Sequence, residues 1–507
     1  LMLSNSWQGA AFDSAAQGLG LVTVPIYTND RPDNIAHILE DAGIRLLLLE
    51  NDEQWQKVRS IHPLPESLQR IVTLEFLNPS PDQTNPVCLD SWAPPSQDHY
   101  LALQLSADTL ATIVYTSGTT GRPKGVMLSH RNILWNVEAA LKQVEVYADD
   151  LFLSFLPLPH TLERTVGHYL PMAIGARVAH VRSVQTLAED LQTIKPTVMI
   201  AVPRIFERMV NAIENKLQQG PTILQRLYDT AVKLGRRLFE YNQGRTNWSP
   251  KLLLHPLLDQ LVAKKIRAKL GGRLRVVVSG GAPLPSKVAR DLIALGVPIL
   301  QGYGLTETSP IISANRLEEN VPESVGTPLS GVEIKIGKKS ELLTRSPSVM
   351  QGYWNNPDAT RQVIDDDGWF HTGDTAKVEQ GRITITGRIK EIIVLANGEK
   401  IAPADIELCI AEDELIEQAL VVGEGKPFLG VLVVPSDNKA EISHNNLHER
   451  ITSRMATFPG YAKIHRLALI DSPWTVENGL MTPTLKLRRQ QIIQRHQHEI
   501  EGLYAGH

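Results

Sequence analysis

Short apolar runs alternate with amphipathic stretches along the first 300 or so residues. Residues 7–19 have helical spacing, and Leu21–Pro25 reads as a short strand. A second helix over 31–43 opens at Arg31-Pro32-Asp33, with proline near its first turn. Ile44–Leu49 is an unbroken aliphatic run, as in a strand covered on both faces. Leu110–Val114 repeats that pattern, and residues 131–143 return to helical spacing. Phe152–Phe155, 197–201, Arg275–Ser279 and Val297–Leu300 are further buried-type strands. Strands alternating with helices predict an α/β fold with a largely parallel sheet. From Pro203 to about Leu270 the pattern is helical and rich in Lys and Arg. Residues 325–388 read as shorter strands with frequent turns, a distorted β subdomain. The pattern then changes to a helix at 403–412, a strand pair at 418–435, a polar helix near 437–456 and a basic helix from about Leu487. That is a compact α+β unit of roughly 115 residues, a sensible domain size. The expected division is a large N-terminal domain over 1–387 and a small mobile C-terminal domain over 388–507, with a hinge at 387–390.

The length of 507 residues suits roughly three compact units at about 150 residues each. Hydrophobic content of 42% and charged content of 21% are those of a soluble globular protein. The net charge of -4 offers no footprint for nucleic acid. Cys88 and Cys409 are far apart and have no metal-ligand spacing, which suits a reduced, cytoplasmic setting. No apolar run approaches the ~18 residues of a membrane span, and the opening residues do not read as a signal peptide. The chain opens inside an apolar stretch, Leu1-Met2-Leu3, so a strand begun further upstream is expected. Residues 251–270 are basic and amphipathic. Such a segment either packs its apolar stripe on the core or docks peripherally on a membrane surface, and both readings stay open.

The densest chemistry is Tyr115-Thr116-Ser117-Gly118-Thr119-Thr120-Gly121-Arg122-Pro123-Lys124-Gly125. An apolar strand leads in and a helix from about His130 leads out. Strand, Gly/Thr-rich turn and helix aim backbone N–H groups and hydroxyls at a phosphate. No Gly-Lys-Ser/Thr closes the loop, so it is not a Walker A motif. Phe152 to Arg164 is a strand that delivers His160 at its end, followed by the acid–base pair Glu163-Arg164. Carboxyl ends of strands are where α/β sheets bind ligands. Gly280-Gly281-Ala282 ends another strand and permits close approach of a flat ligand. Gln301-Gly302-Tyr303 places an aromatic ring between glycines, and Thr306 and Glu307 offer oxygens suited to Mg²⁺. Asp374, expected at a strand end between Gly373 and Thr375, can accept both hydroxyls of a ribose diol.

Thr116–Gly125, Gly302–Thr308, Gly373-Asp374, Gly387–Lys390 and Pro483-Thr484-Leu485-Lys486 come in the order and spacing of the AMP-forming adenylate-forming enzymes, which the chain resembles over nearly its whole length. His160–Arg164, the helical insert after Val202-Pro203-Arg204 and Ala396–Pro403 look most like the long-chain fatty acid–CoA ligase branch. The resemblance implies two steps. ATP and a fatty acid give an acyl adenylate and pyrophosphate, then coenzyme A displaces AMP to form a thioester. It implies Mg²⁺ on Thr116 and Glu307, and phosphates wrapped by Ser117, Gly118, Thr119, Thr120, Gly121 and Lys124. It places adenine against Gly281, Ala282, Gln301, Gly302 and Tyr303, and ribose on Asp374 and Arg388. Thr306 and His160 join the reacting centre, Lys390 is the hinge, and Lys486 serves adenylation. Two positions depart from the pattern: Leu485 stands where many relatives have Gly, and Gly387 where many have an acid. An enzyme of the same fold that stops at the acyl adenylate or passes the acyl group to a carrier protein, and a non-catalytic scaffold relative, are the other readings.

Overall fold

A computed structural model describes residues 1–77, 86–93, 103–116, 122–436 and 444–505. Its central element is a seven-stranded sheet, ordered Thr327–Pro328, Ile311–Ala314, Ile299–Gly304, Val276–Ser279, Val198–Ala201, Leu151–Ser154 and Arg177–His180. The last five strands in that order run parallel, and the first two add antiparallel edges. Parallel strands covered by helices on both faces must be apolar throughout. Accordingly Phe152, Leu153, Ile200, Val277 and Leu300 are buried in the largest core. The expectation of a mainly parallel α/β sheet therefore holds. A second, smaller parallel sheet joins Leu46–Leu49, Arg70–Thr73 and Val87–Cys88, and Met2 bridges to Leu49.

Two local expectations fail. Leu21–Pro25 is not a strand; only Thr23 makes an isolated bridge, to Thr112. The phosphate loop does not lead directly into a helix. Lys124–Ser129 is itself a strand, antiparallel to Leu110–Thr116, with Val126 and Leu128 alternating into the core. The helix His130–Gln143 follows, capped reciprocally by Ser129 and Asn132.

Four antiparallel strands, Glu333–Ile336, Glu341–Arg345, Phe370–Glu379 and Arg382–Arg388, form the β subdomain. Beyond them Ile416–Val422 and Leu429–Pro435 pair antiparallel, and Ile464–Leu469 joins in parallel. That third strand was not expected. Helices Pro403–Ala411 and His444–Arg454 share one apolar cluster with this sheet. Trp474, Met481 and helices Arg489–Arg495 and Gln497–Leu503 contribute to a second one with it. The fold is thus a large α/β domain with a β subdomain, followed by a small α+β domain. Among the described residues no helix is long and apolar enough to cross a membrane.

Candidate functional site

Four of the parallel strands end on one rim. Leu151–Ser154 leads to His160, Val198–Ala201 to Val202-Pro203, and Val276–Ser279 to Gly280-Gly281-Ala282. Ile299–Gly304 carries Gln301, Gly302 and Tyr303 and leads to the 3₁₀ turn Thr306–Thr308. These segments border a cleft of about 2150 Å³. The strands Phe370–Glu379 and Arg382–Arg388 and the small-domain stretch Thr482–Arg489 contribute its other walls. A cleft at the carboxyl ends of a parallel sheet is where ligands of such folds bind.

Pairing between the strands Phe370–Glu379 and Arg382–Arg388 sets Asp374 opposite Arg388. Asp374 is the fifth residue of a ten-residue strand, not a strand end as expected. Its Oδ1 lies 2.8 Å from Arg388 Nε, and its Oδ2 accepts from the Tyr303 hydroxyl at 2.6 Å. Burial, then the Asp374 charge, hold the Tyr303 phenol well above its usual range, so it stays a donor. A carboxylate has about four acceptor positions, so two partners leave capacity for a diol.

On the opposite wall Glu307 Oε1 accepts from the Tyr353 hydroxyl at 2.8 Å. Lys124 Nζ stands 5.0 Å from the centre of the Tyr353 ring, and Lys124 pairs in register with Thr116. Tyr353 thus ties the metal candidate Glu307 to the phosphate strand; sequence reasoning missed it. The only local signal was an aromatic pair, Tyr353-Trp354, after Gly352. Ser117, Gly118, Thr119, Thr120 and Gly121 lie outside the described residues. Glu307 Oε2 makes no hydrogen bond among the described residues, and the Thr116 hydroxyl makes only a long 3.5 Å contact with the Lys124 carbonyl. No group of three or more His, Cys, Asp or Glu that could hold a metal occurs among the described residues. Two oxygen donors without such a cluster fit Mg²⁺ that takes its other ligands from phosphate and water.

His160 accepts the Leu162 N–H at Nδ1, 3.2 Å away. Its Nε2 therefore carries the proton, and it faces Gly281, where an added Cβ would lie 3.6 Å from it. Burial, reinforced by the Lys486 charge, lowers the imidazole to about 4, so it is a neutral donor at pH 7. Lys486 borders the cleft and is exposed to its solvent. Desolvation and then Arg388 pull its amine below the usual lysine range; Asp374, Glu391 and Glu307 act the other way. The Lys486 amine thus lies within electrostatic reach of Arg388, Asp374, Glu391 and Glu307, and its own charge acts on His160. Leu485, beside it, has φ +60°, a conformation that favours glycine. Gly387 has φ +148°, and a side chain there would meet Ala402 at 3.0 Å, which accounts for the missing acid.

Other expected residues divide. Gly302, Ala282, Thr306 and Lys390 line the cleft. Gln301 also borders it, but its amide donates to the Pro322 carbonyl and so braces backbone. Glu163 and Arg164 are not a pair. Arg164 binds buried Asp13 at 2.5 Å, together with Thr23 and Tyr169. Glu163 is fully buried, and neither carboxyl oxygen has a hydrogen bond among the described residues. Desolvation raises it to about 8, with Ser154 opposing.

The profile of the AMP-binding enzyme family matches residues 1–354, and that of the AMP-binding enzyme C-terminal domain matches 390–507. The chain is 36% identical over 465 residues to a probable acyl-activating enzyme 16, chloroplastic, of Arabidopsis thaliana, covering 79% of this chain and 64% of that protein. A second Arabidopsis thaliana relative, the long-chain-fatty-acid–[acyl-carrier-protein] ligase AEE15, is 33% identical with 79% and 62% covered. The chain thus spans less than two thirds of the length of these plant relatives. Against the long-chain-fatty-acid–CoA ligase FadD15 of Mycobacterium bovis it is 32% identical, covering 98% of this chain and 86% of that one. Among solved structures, the anthranilate CoA ligase AuaEII with anthranoyl-AMP shares the fold at TM-score 0.74 and 20% identity, with 99% and 87% covered.

Proposed function

Because the chain belongs to the AMP-binding enzyme family, we propose that it is a long-chain fatty acid–CoA ligase of the cytoplasm. It joins a fatty acid to ATP, releases pyrophosphate, and passes the acyl group to coenzyme A with release of AMP. The observation that carries this reading is one cleft bordered by Asp374, Arg388, Glu307 and Lys486 that continues past Val144, Phe152, Val166 and Val198, an apolar channel suited to an aliphatic tail.

A carboxylate is already ionised at pH 7 and needs no general base. The barrier to its attack on the α-phosphate comes from bringing two anions together in line, so charge neutralisation and alignment lower it. Asp374 and Arg388 seat the ribose, Tyr303 and Gly302 the adenine, and Lys124 with the Thr116–Gly125 loop the outgoing phosphates. Lys486 bridges the carboxylate and the α-phosphate, and His160 closes the wall as a neutral donor. Mg²⁺ held by Thr116 and Glu307 would offset charge on the phosphates. Once pyrophosphate has left, a turn of the small domain about 387–390, with Lys390 as pivot, withdraws Lys486 and admits the thiol.

One relative, AEE15, is by name an acyl-carrier-protein ligase, which supports a second reading in which the thiol belongs to a carrier protein. The test is AMP and thioester formation from ATP, Mg²⁺ and a panel of fatty acids. AMP with coenzyme A and a long-chain acid is expected. AMP only with a carrier protein favours the second reading, and no AMP with any carboxylate removes both.

A further inference from the structure

The segments Pro250–Leu254, His255–Leu258, Asp259–Ala263 and Lys264–Lys269 follow one another as a continuous helical rod. One side of it is buried. Leu258 and Ala263 pack against Tyr228, Ala231 and Leu234 of the helix Thr222–Asn242. The other side is not covered. Leu253, Leu254, Leu257 and Leu261 are between 45% and 73% exposed, and Trp248 at the entry is 52% exposed. Their spacing of i, i+1, i+4 and i+8 puts the four leucines on one face. Single exposed leucines are ordinary, but four on one face, with Trp248 exposed just ahead of them in the chain, call for a partner.

Charge narrows the partner. Residues 248–273 hold six Lys or Arg and one Asp, in a chain whose net charge is -4. The single acid, Asp259, is paired with Arg267 at 2.7 Å. Lys251, Lys264, Lys265 and Lys269 are exposed and make no ion pair among the described residues. A second copy of this face would bring like charges together, which argues against self-association. An anionic bilayer satisfies both features. Leucines enter the acyl boundary, tryptophan sits at the headgroups, and lysine stems lie along the apolar surface with their amines at the phosphates. We propose that this rod docks the protein peripherally on an anionic lipid surface. The surface is separate from the cleft and stands whether or not the ligase reading does.

The test is sedimentation of the full chain with vesicles of neutral phosphatidylcholine, and with vesicles carrying about 30% anionic lipid. Binding is expected to the anionic vesicles, weakened at least about tenfold when salt is raised to roughly 0.5 M. The double variants Leu253→Ser/Leu257→Ser and Lys264→Glu/Lys265→Glu each should lower binding by about tenfold or more. Both should keep the wild-type mass in light scattering and full turnover of a water-soluble short-chain acid. No binding at low salt, equal binding to neutral and anionic vesicles, or equal binding by either variant overturns the proposal. A wild-type dimer that the leucine variant converts to monomer also overturns it, because the face is then a self-interface.

Discussion

Asp374 and Lys486 face the same cleft but are held by different means. Asp374 is 3% exposed and has a bonded partner on each oxygen, Tyr303 and Arg388. Those partners come from the strand Ile299–Gly304 and from Arg382–Arg388, the strand paired with that of Asp374, so the surround of Asp374 is formed before any ligand arrives. Lys486 sits on a short turn of the small domain, pinned through its backbone to Thr482. Its amine has no hydrogen bond or ion pair among the described residues; desolvation and longer-range charge act on it. A group fixed in the wall suits a ligand that stays through both steps. A group held only by electrostatics can leave after the first. In the proposed reaction the two steps need this asymmetry, since the thiol is to reach the acyl carbon once the lysine has acted.

The comparison can be broken in three ways. The largest effect is expected for Lys486→Ala: loss of about 10³-fold in adenylation, measured as pyrophosphate exchange into ATP, on the scale of removing one preorganised donor from a charged transition state. Asp374→Asn should raise KM for ATP roughly 30-fold, about 2 kcal/mol for a charged hydrogen bond, with kcat changed far less. An equal fall in kcat would mean that Asp374 acts on the reacting atoms and not on the ribose.

The third concerns what lies under the fixed wall. Glu163 titrates near 8 in the folded protein against 4.5 ordinarily. Between those values the unfolded chain has lost the proton and the folded one keeps it. Stability therefore falls as pH rises through that window and levels off above about 8. Glu163→Gln removes the effect. The variant should match the wild type near pH 4 and exceed it by several kcal/mol at pH 8, since each pH unit across that window is worth about 1.4 kcal/mol. Thermal unfolding across pH checks this; a variant less stable at every pH would show that Glu163 has a partner after all.

Much of this was legible because it is local. Runs such as Leu151–Ser154 and Val276–Ser279 carry their burial in their composition, and the glycines and Glu307 at 302–307 mark the end of a strand and the turn after it. What was missed depends on distant pairing. Lys124–Ser129 is a strand because Leu110–Thr116 and Gly352-Tyr353 flank it. Ile464–Leu469 is one because Leu429–Pro435 offers a free edge. Glu163-Arg164 looks like a pair until the helix Trp7–Gly18 brings Asp13 to the arginine. Tyr353 reaches Glu307 across 46 residues of chain. Leu485 shows the reverse: a positive φ turn that the usual Gly signal did not mark.

The measurement that bears most directly on a fixed cradle and a delivered lysine is the second half-reaction of Lys486→Ala. Pre-made acyl adenylate and coenzyme A are mixed with the variant, and thioester is followed in single turnover. A rate within about threefold of the wild type, beside a ~10³-fold loss in adenylation, is the result we predict. An equal loss in both half-reactions would contradict it and place Lys486 in the wall with Asp374.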